Sequence, residues 1–343
     1  MNVKIAIHHY PDDFSDRWIE YCKDNDMNYA LVDCYANDII TVMKDFDVLL
    51  WSWNLSHFES LQFARELIYS LEQMGKTVFP NFKTSFFYDN KVGQKYLLES
   101  INVPMVPSYV FYTKEAAIQW IDKTTFPKVF KLAGGAGSMN VKLCHTNTQA
   151  KQFTCQAFGR GFVQVDRITW FKDKVKKIKE NPSFSNFKIF VKAFGRLFVP
   201  TQKEKLISRE KGYIYFQDFI PQNNFDIRII VIGAKAFALK RLCRENDFRA
   251  SGSGKIIYDK NQIDTRCIQS SFETSNKLDV QCMAYDFVFD ENNNPLIVEI
   301  SYHFATYAYD ICEGYWDKKL KWHNEKINPQ YMIMDLILNN FND

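Results

Sequence analysis

Two runs that read as β-strands, Tyr285–Phe289 and Leu296–Ile300, flank Asp290-Glu291-Asn292-Asn293-Asn294-Pro295, a run with strong turn chemistry. The stretch 284–303, AYDFVFDENNNPLIVEISYH, therefore reads as a β-hairpin. Alternation along its strands sets Asp286 and Glu299 among apolar neighbours. An ionised carboxylate there is costly unless a cation or hydrogen-bond donors offset it. Two such acids suit Mg²⁺, which takes one or two carboxylates and completes its shell with water and phosphate oxygens. The hairpin thus predicts a nucleotide–magnesium site. An ordinary hairpin with partly exposed acids is the reading left open beside it.

The first part of the chain alternates strands and helices. Val3–Ile7, Tyr29–Val32, Val48–Trp51 and Thr77–Phe79 read as strands, and Phe14–Asn25, Asn37–Lys44 and Leu61–Gln73 as helices. That order implies a parallel sheet, whose ligands meet the loops at the carboxyl ends of the strands. Those loops are His8-His9-Tyr10-Pro11 and Ser52-Trp53-Asn54, either substrate-facing or plain surface loops with a packed Trp.

A helix opens at Asp89-Asn90-Lys91, and another is expected over Lys114–Ile121. The strands Lys128–Leu132 and Val141–Leu143 enclose the turn Gly134-Gly135-Ala136-Gly137-Ser138, a flap whose backbone N–H groups can approach phosphates closely. No GK[ST] follows at P-loop spacing, and the turn is not GxGxxG. Further on, GYIYFQDFI at 212–220, DIRIIVIG at 226–233 and AKAFALKRL at 234–242 read as strands that join the 284–300 hairpin in a second, largely antiparallel sheet. From Ile311 onward the chain reads as helical.

At 343 residues, with 46% hydrophobic and 24% charged residues, the chain has ample material for a packed core. A net charge of +3 argues against a general polyanion binder, and no nucleic-acid partner is expected. Residues 160–211 are the most basic part, either a solvated helix and loop or an insertion that guides an anionic substrate. No apolar run reaches the length of a membrane span, and the start turns polar after one short strand. Eight cysteines without CxxC pairs read as thiols in a reducing cytosol, so a cytoplasmic location is expected.

The pieces DNKVGQKYLLESINVPMVPSYVF, FPKVFKLAGGAGSMNV, YFQDFIPQNNFDIRIIVIG, LKRLCRENDFRASGSG and AYDFVFDENNNPLIVEIS, in this order, resemble the ATP-grasp superfamily. The likeness is nearest to the branch of ribosomal-protein glutamate ligases and relatives of glutathione synthetase. It covers roughly Lys91–Ser301 apart from the basic stretch. The resemblance implies two α+β lobes gripping ATP behind a Rossmann-like parallel-sheet domain. The division would be residues 1–85 for that domain, 86–211 for the first lobe with its flap and basic insertion, and 212–343 for the second.

Residue by residue, the resemblance implies that Lys91 and Lys131 face phosphates, as point cations would for a triphosphate without a P-loop. Gly135, Gly137 and Ser138 would form the flap. Gln217, Asp218, Phe219 and Ile220 would meet adenine through backbone groups, and Asp226 would lie near ribose. Arg228 and Arg241 would steady the transferring phosphoryl group. Asp286 and Glu299 would hold two Mg²⁺ ions, with Mn²⁺ able to stand in. Ser301 occupies a place where the family usually has Asn, a change that weakens the third oxygen ligand.

The implied activity is an ATP-dependent carboxylate–amine ligase working through an acyl phosphate, on a small-molecule, peptide-linked or sugar-linked carboxylate. A phosphotransferase acting on a hydroxyl, and a nucleotide-binding protein whose chemistry has lapsed, are the alternatives left open. His303 reads as a structural histidine. Tyr302, Tyr307, Tyr309, Trp316 and Trp322 add rings that would mostly be core.

Overall fold

The computed structural model describes residues 3–135, 140–164, 171, 175, 194–195, 199, 208–245, 247–339 and 341. In chain order the elements are β1 (Lys4–Ile7), α1 (Phe14–Asp24), β2 (Asn28–Leu31), α2 (Ile39–Val42), β3 (Val48–Leu50), α3 (Phe58–Gln73), β4 (Thr77–Phe79), α4 (Phe82–Ser85) and α5 (Lys91–Ser100). There follow β5 (Ser108–Phe111), α6 (Lys114–Ile121), β6 (Lys128–Lys131), β7 (Val141–Cys144), α7 (Asn147–Ala157) and β8 (Ile214–Asp218). The last part holds β9 (Phe225–Ile232), β10 (Lys235–Leu242), β11 (Ile256–Ile257), α8 (Thr265–Leu278), β12 (Cys282–Phe289), β13 (Pro295–Ser301), β14 (Tyr315–Asp317), β15 (Trp322–His323) and α9 (Pro329–Asn339). Met1–Val106 together with Ile220–Asp343 form one compact unit, and Pro107–Phe219 the other.

In the first unit, β2-β1-β3-β4 make a parallel sheet, as the alternation of strands and helices predicts. An antiparallel sheet runs β13-β12-β9-β10-β14-β15, with β11 on β10. Its two faces are sorted by residue parity along β9. Ile230 and Ile232 pack with Phe14, Trp18 and Ile333, whereas Ile227, Ile229 and Val231 pack with Ile268, Phe272 and Phe287. The turn into β10 passes through Gly233 at φ +56°, where an added Cβ would come within 3.0 Å of the Leu336 side chain in α9.

Alternation breaks once in β13. Asp286 pairs with Glu299 but Phe287 pairs with Ile297, so Val298 is the extra residue of a β-bulge. Strict alternation would put Ile297 and Glu299 on one face. The bulge instead lets Ile297 and Ile300 both reach the second core, while Glu299 stands opposite Asp286.

Behind the hairpin, the fully buried Tyr302 clamps the loop after β3. Its hydroxyl donates to the Trp53 carbonyl at 2.7 Å and accepts from the Trp53 N–H at 3.0 Å. Tyr302→Phe leaves both backbone groups buried and unpaired, and a loss of about 2–3 kcal/mol in stability is expected by urea unfolding.

The second unit carries an antiparallel sheet, β5-β8-β6-β7. Strand β8 thus lies in the sheet of β5, β6 and β7, and not in that of β9, β10 and the hairpin as the sequence suggested. A further correction concerns the tail. Residues 315–323 form the β14–β15 hairpin, with Trp316 against Trp322 at 4.5 Å, and helix resumes only at Pro329. The helical core spacing of Met332, Ile333, Leu336 and Ile337 is confined to α9 and does not extend back over the aromatic residues. Helix α8 was missed: its Ser- and Thr-rich sequence masks an amphipathic face, although Asp264 caps it by accepting from Arg266 N–H. All eight cysteines are free thiols, six of them buried, with Cys155 exposed and Cys243 half-buried.

Candidate active site

Four charged side chains form a line across three adjacent strands of the first unit. Arg241 on β10 is the cross-strand partner of Asp226 on β9, and Arg228 on β9 is the partner of Asp286 on β12. Asp226 and Arg228 are two residues apart, so all four share the face that holds Ile230 farther along the strand. Arg241 donates to both Asp226 oxygens at 2.7 Å, and Arg228 donates to Oδ1 and Oδ2 of Asp286 at 2.5 and 2.6 Å. A 3.0 Å contact from Arg241 to Asp286 Oδ2 joins the two pairs. Tyr309, also buried, bonds to Arg228.

Two guanidinium and two carboxylate groups cancel in charge, which makes their shared burial tolerable. Burial alone pushes the Asp286 carboxyl up, but Arg228 and Arg241 outweigh it and hold the group well below the usual carboxylate range. For Asp226 burial prevails over Arg241, and its value is raised. Asp286 in turn raises Arg228 against the opposing effect of burial.

Glu299, brought opposite Asp286 by the bulge, is met by the Lys91 ammonium at 3.1 Å. Lys91 is the first residue of α5, and its neighbour Asn90 caps that helix by accepting from Gly93 N–H. Gly93 allows close packing, since a Cβ there would lie 2.5 Å from the Phe87 ring. From the next turn, Gln94 accepts from Ile300 N–H at 3.2 Å and ties α5 to the hairpin strand. Ser301 Oγ donates to the His303 carbonyl at 2.8 Å.

The donor set fits a magnesium ion. Asp286, Glu299 and Ser301 offer hard oxygens. The Ser301 proton is directed at a carbonyl, so its lone pairs are left for acceptance, and Asp286 Oδ1 accepts a single hydrogen bond. Among the described residues no group of three or more His, Cys, Asp or Glu side chains gathers around a metal-sized space. An ion here would therefore complete its shell with water or phosphate oxygens.

The second unit holds the remaining described candidates. Lys131 is buried on β6 and donates to Gln217 Oε1 at 2.6 Å, while Gln217 Nε2 donates to Ser108 Oγ at 3.1 Å. Asp218 is engaged by Lys128 at 2.5 Å, so its side chain anchors β8 to β6. Phe219 closes this unit and Ile220 begins the return of the chain to the first. At the start of the glycine turn, Ala133 N–H meets Glu210 Oε2 at 3.0 Å and the Tyr213 hydroxyl at 2.7 Å, and Gly135 has φ +108°. Gly137, Ser138 and most of the basic stretch 160–211 lie outside the described residues.

Sequence reasoning missed one cluster. Asp13, 6% exposed, accepts from Phe14 N–H, Ser52 Oγ, Asn54 Nδ2 and the His303 ring at 2.7–3.0 Å. The Ser52 and Asn54 side chains thus hold the first unit together, as does His8, whose Nδ1 meets Cys34 N–H at 3.0 Å. The one signal available was Asp immediately before a helical run, a capping position. Burial raises the Asp13 carboxyl, but His303 and the other donors prevail and bring it from 3.8 to about 2. A depressed carboxylate contributes stability above its unfolded value, and that stability is lost as pH falls through the folded one. Wild type is therefore expected to lose stability relative to Asp13→Asn between about pH 4 and pH 2, as urea unfolding at stepped pH would record.

Comparison with known proteins gives a domain match over part of the chain and a shared fold over most of it. Residues 162–309 match the RimK-like ATP-grasp domain. The chain is 24% identical over 281 residues to the alpha-aminoadipate–LysW ligase LysX of Saccharolobus solfataricus, covering 80% of this chain and 84% of that one. Among solved structures, it superposes on a RimK domain ATP-grasp protein from Sphaerobacter thermophilus with a TM-score of 0.55 at 14% identity, over 98% of this chain and 100% of the other. It also superposes on the ATP complex of D-alanine–D-alanine ligase from Bacillus anthracis with a TM-score of 0.57 at 13% identity, over 100% of this chain and 99% of that one. Residues 162–309 are thus similar to the RimK-like ATP-grasp domain, and these solved structures share the fold of the chain.

Proposed function

We propose that the protein is an ATP-dependent carboxylate–amine ligase whose phosphoryl-transfer centre is the line Arg241–Asp226–Arg228–Asp286 with Glu299 and Lys91. The observation that carries this reading is the bulged hairpin, which sets two carboxylates opposite each other beside two arginines and a lysine. A substrate carboxylate oxygen attacks the γ-phosphorus, the bond to the ADP oxygen breaks, and an acyl phosphate forms. An amine nitrogen then attacks the acyl carbon. The carbon–oxygen bond to phosphate breaks with its electron pair leaving on phosphate, and the nitrogen gives up a proton.

Lys91 and Lys131 bind phosphates as point cations, and the forked guanidinium groups of Arg228 and Arg241 match the equatorial oxygens of the transferring group. By the same reading Gln217, Asp218, Phe219 and Ile220 are assigned to adenine through their backbone groups, Asp226 to the ribose side of the centre, and Gly135, Gly137 and Ser138 to the phosphates. Asp286, Glu299 and Ser301 hold up to two magnesium ions, which Mn²⁺ can replace. Bound there, magnesium neutralises phosphate oxygens and orients the nucleotide. The eight free thiols suit a reducing cytosol, and we place the enzyme there.

The name of the S. solfataricus relative pairs α-aminoadipate with LysW, which favours an amino acid as one of the two substrates. The test is ADP release across a panel of amino acids, dicarboxylates and amines in the presence of Mg²⁺, with Asp286→Asn as the blank. Release that needs both a carboxylate and an amine, and that is absent in the blank, is the expected result. A phosphorylated product formed without any amine would replace the ligase reading with a phosphotransferase.

A further inference from the structure

Of the candidate metal ligands, Asp286 has both carboxylate oxygens already engaged. Arg228 spends its fork there at 2.5 and 2.6 Å, and Arg241 adds one contact at 3.0 Å. The two arginines are not equivalent. Arg241 keeps a complete bidentate partner in Asp226 whatever happens at Asp286, so its contact is the cheaper one to give up. Arg228 has the Tyr309 hydroxyl as its other partner, a single neutral acceptor in place of two charge-assisted bonds.

A hard cation and a guanidinium fork want the same oxygens. We propose that Arg228 is an internal competitor for the metal: an ion gains Asp286 only as the Arg228 guanidinium withdraws, and an anionic ligand able to accept that fork favours the exchange. The inference rests on the reading of Asp286 as a metal ligand. Its physical basis is that an anion which accepts two parallel N–H bonds, as a phosphate does, compensates Arg228 for the bonds it surrenders. Coupling of this kind is reciprocal, so the ion should tighten the anion's binding by the same factor. One rearrangement would then free an acid for the cation and free an arginine for the phosphoryl group. Without the anion, stray divalent ions would be held weakly.

The probe is Mn²⁺ alone, titrated by electron paramagnetic resonance into the full chain with no nucleotide added. Arg228→Gln is expected to bind Mn²⁺ at least about tenfold more tightly than wild type, the equivalent of one lost charge-assisted contact opposing the ion. Arg228→Lys, which keeps the charge but cannot fork, is expected to lie between the two and guards against misfolding of the glutamine variant. Unchanged or weaker Mn²⁺ binding in the folded variants overturns the inference.

Adding Asp286→Asn to Arg228→Gln separates the two levels of the argument. If the tighter binding disappears, the ion sits at Asp286; if it survives, the metal assignment itself falls. In the unsubstituted chain, the Arg228 Nε–H resonance is expected to lose its protection from solvent exchange as Mg²⁺ is added. Protection that persists at saturating Mg²⁺ overturns the competition.

Discussion

Glu299→Gln is expected to lower Mg²⁺-dependent ADP release by about a hundredfold to a thousandfold, the range typical when one preorganised electrostatic group is removed from a reacting centre. The substitution keeps the shape of the side chain and replaces one carboxylate oxygen by an amide nitrogen, which cannot ligate a hard cation. Glu299 is one of the less buried members of the site, with 30% of its side chain exposed against 6% for its partner Lys91. The fold should therefore tolerate the change, and the thermal midpoint should move by only a few degrees, about what 1 kcal/mol produces. Steady-state kinetics and a melting curve on the same preparation decide the matter. Activity within twofold of wild type would remove Glu299 from the chemistry.

Phe287→Ala should act in the opposite way, on stability and not on the site. Phe287 is the next residue after Asp286 on β12, fully buried, and faces the other core with Ile229, Phe272 and Ile297. Truncating a ring that size in a close-packed interior costs about 3–5 kcal/mol through lost transfer energy and an unfilled cavity. Since whole domains are stable by only about 5–15 kcal/mol, much of the margin would go. Urea unfolding should show the loss, while the fraction that stays folded keeps the nucleotide affinity of wild type. A loss below about 1 kcal/mol would mean that the two faces of β12 are not sorted as described.

Much of this was legible in the chain itself. Asp286 and Glu299 stood out because carboxylates within apolar runs demand partners. The parallel sheet followed from the order of strands and helices. Arg228 and Arg241 were legible as charges on strands, but their partners were not: which acid faces which guanidinium depends on register between strands distant in sequence. The Asp13 cluster is harder still, because its members lie at positions 13, 52, 54 and 303 and meet only through the fold. Local pattern also misled where chemistry was ambiguous. In α8 the hydroxyl-rich composition hid the helix, and in 315–323 the density of rings hid a short hairpin.

The extra residue at Val298 makes the separation of the two acids a matter of chain length more than of composition. On the far side, the Asp290–Asn294 turn is closed by Asp290 accepting from the N–H groups of Asn292 and Asn294, and it projects into solvent, where one residue more or fewer can be absorbed. Between Glu299 and Ser301 no such slack exists. Deleting Ile300 while Ser301 keeps its partner Ala284 would set Glu299 opposite Tyr285 and send it into the hydrocarbon interior, which no substitution at 299 could repair. Insertions and deletions among relatives of this protein should therefore collect at the tip of the hairpin and stop short of its last three positions.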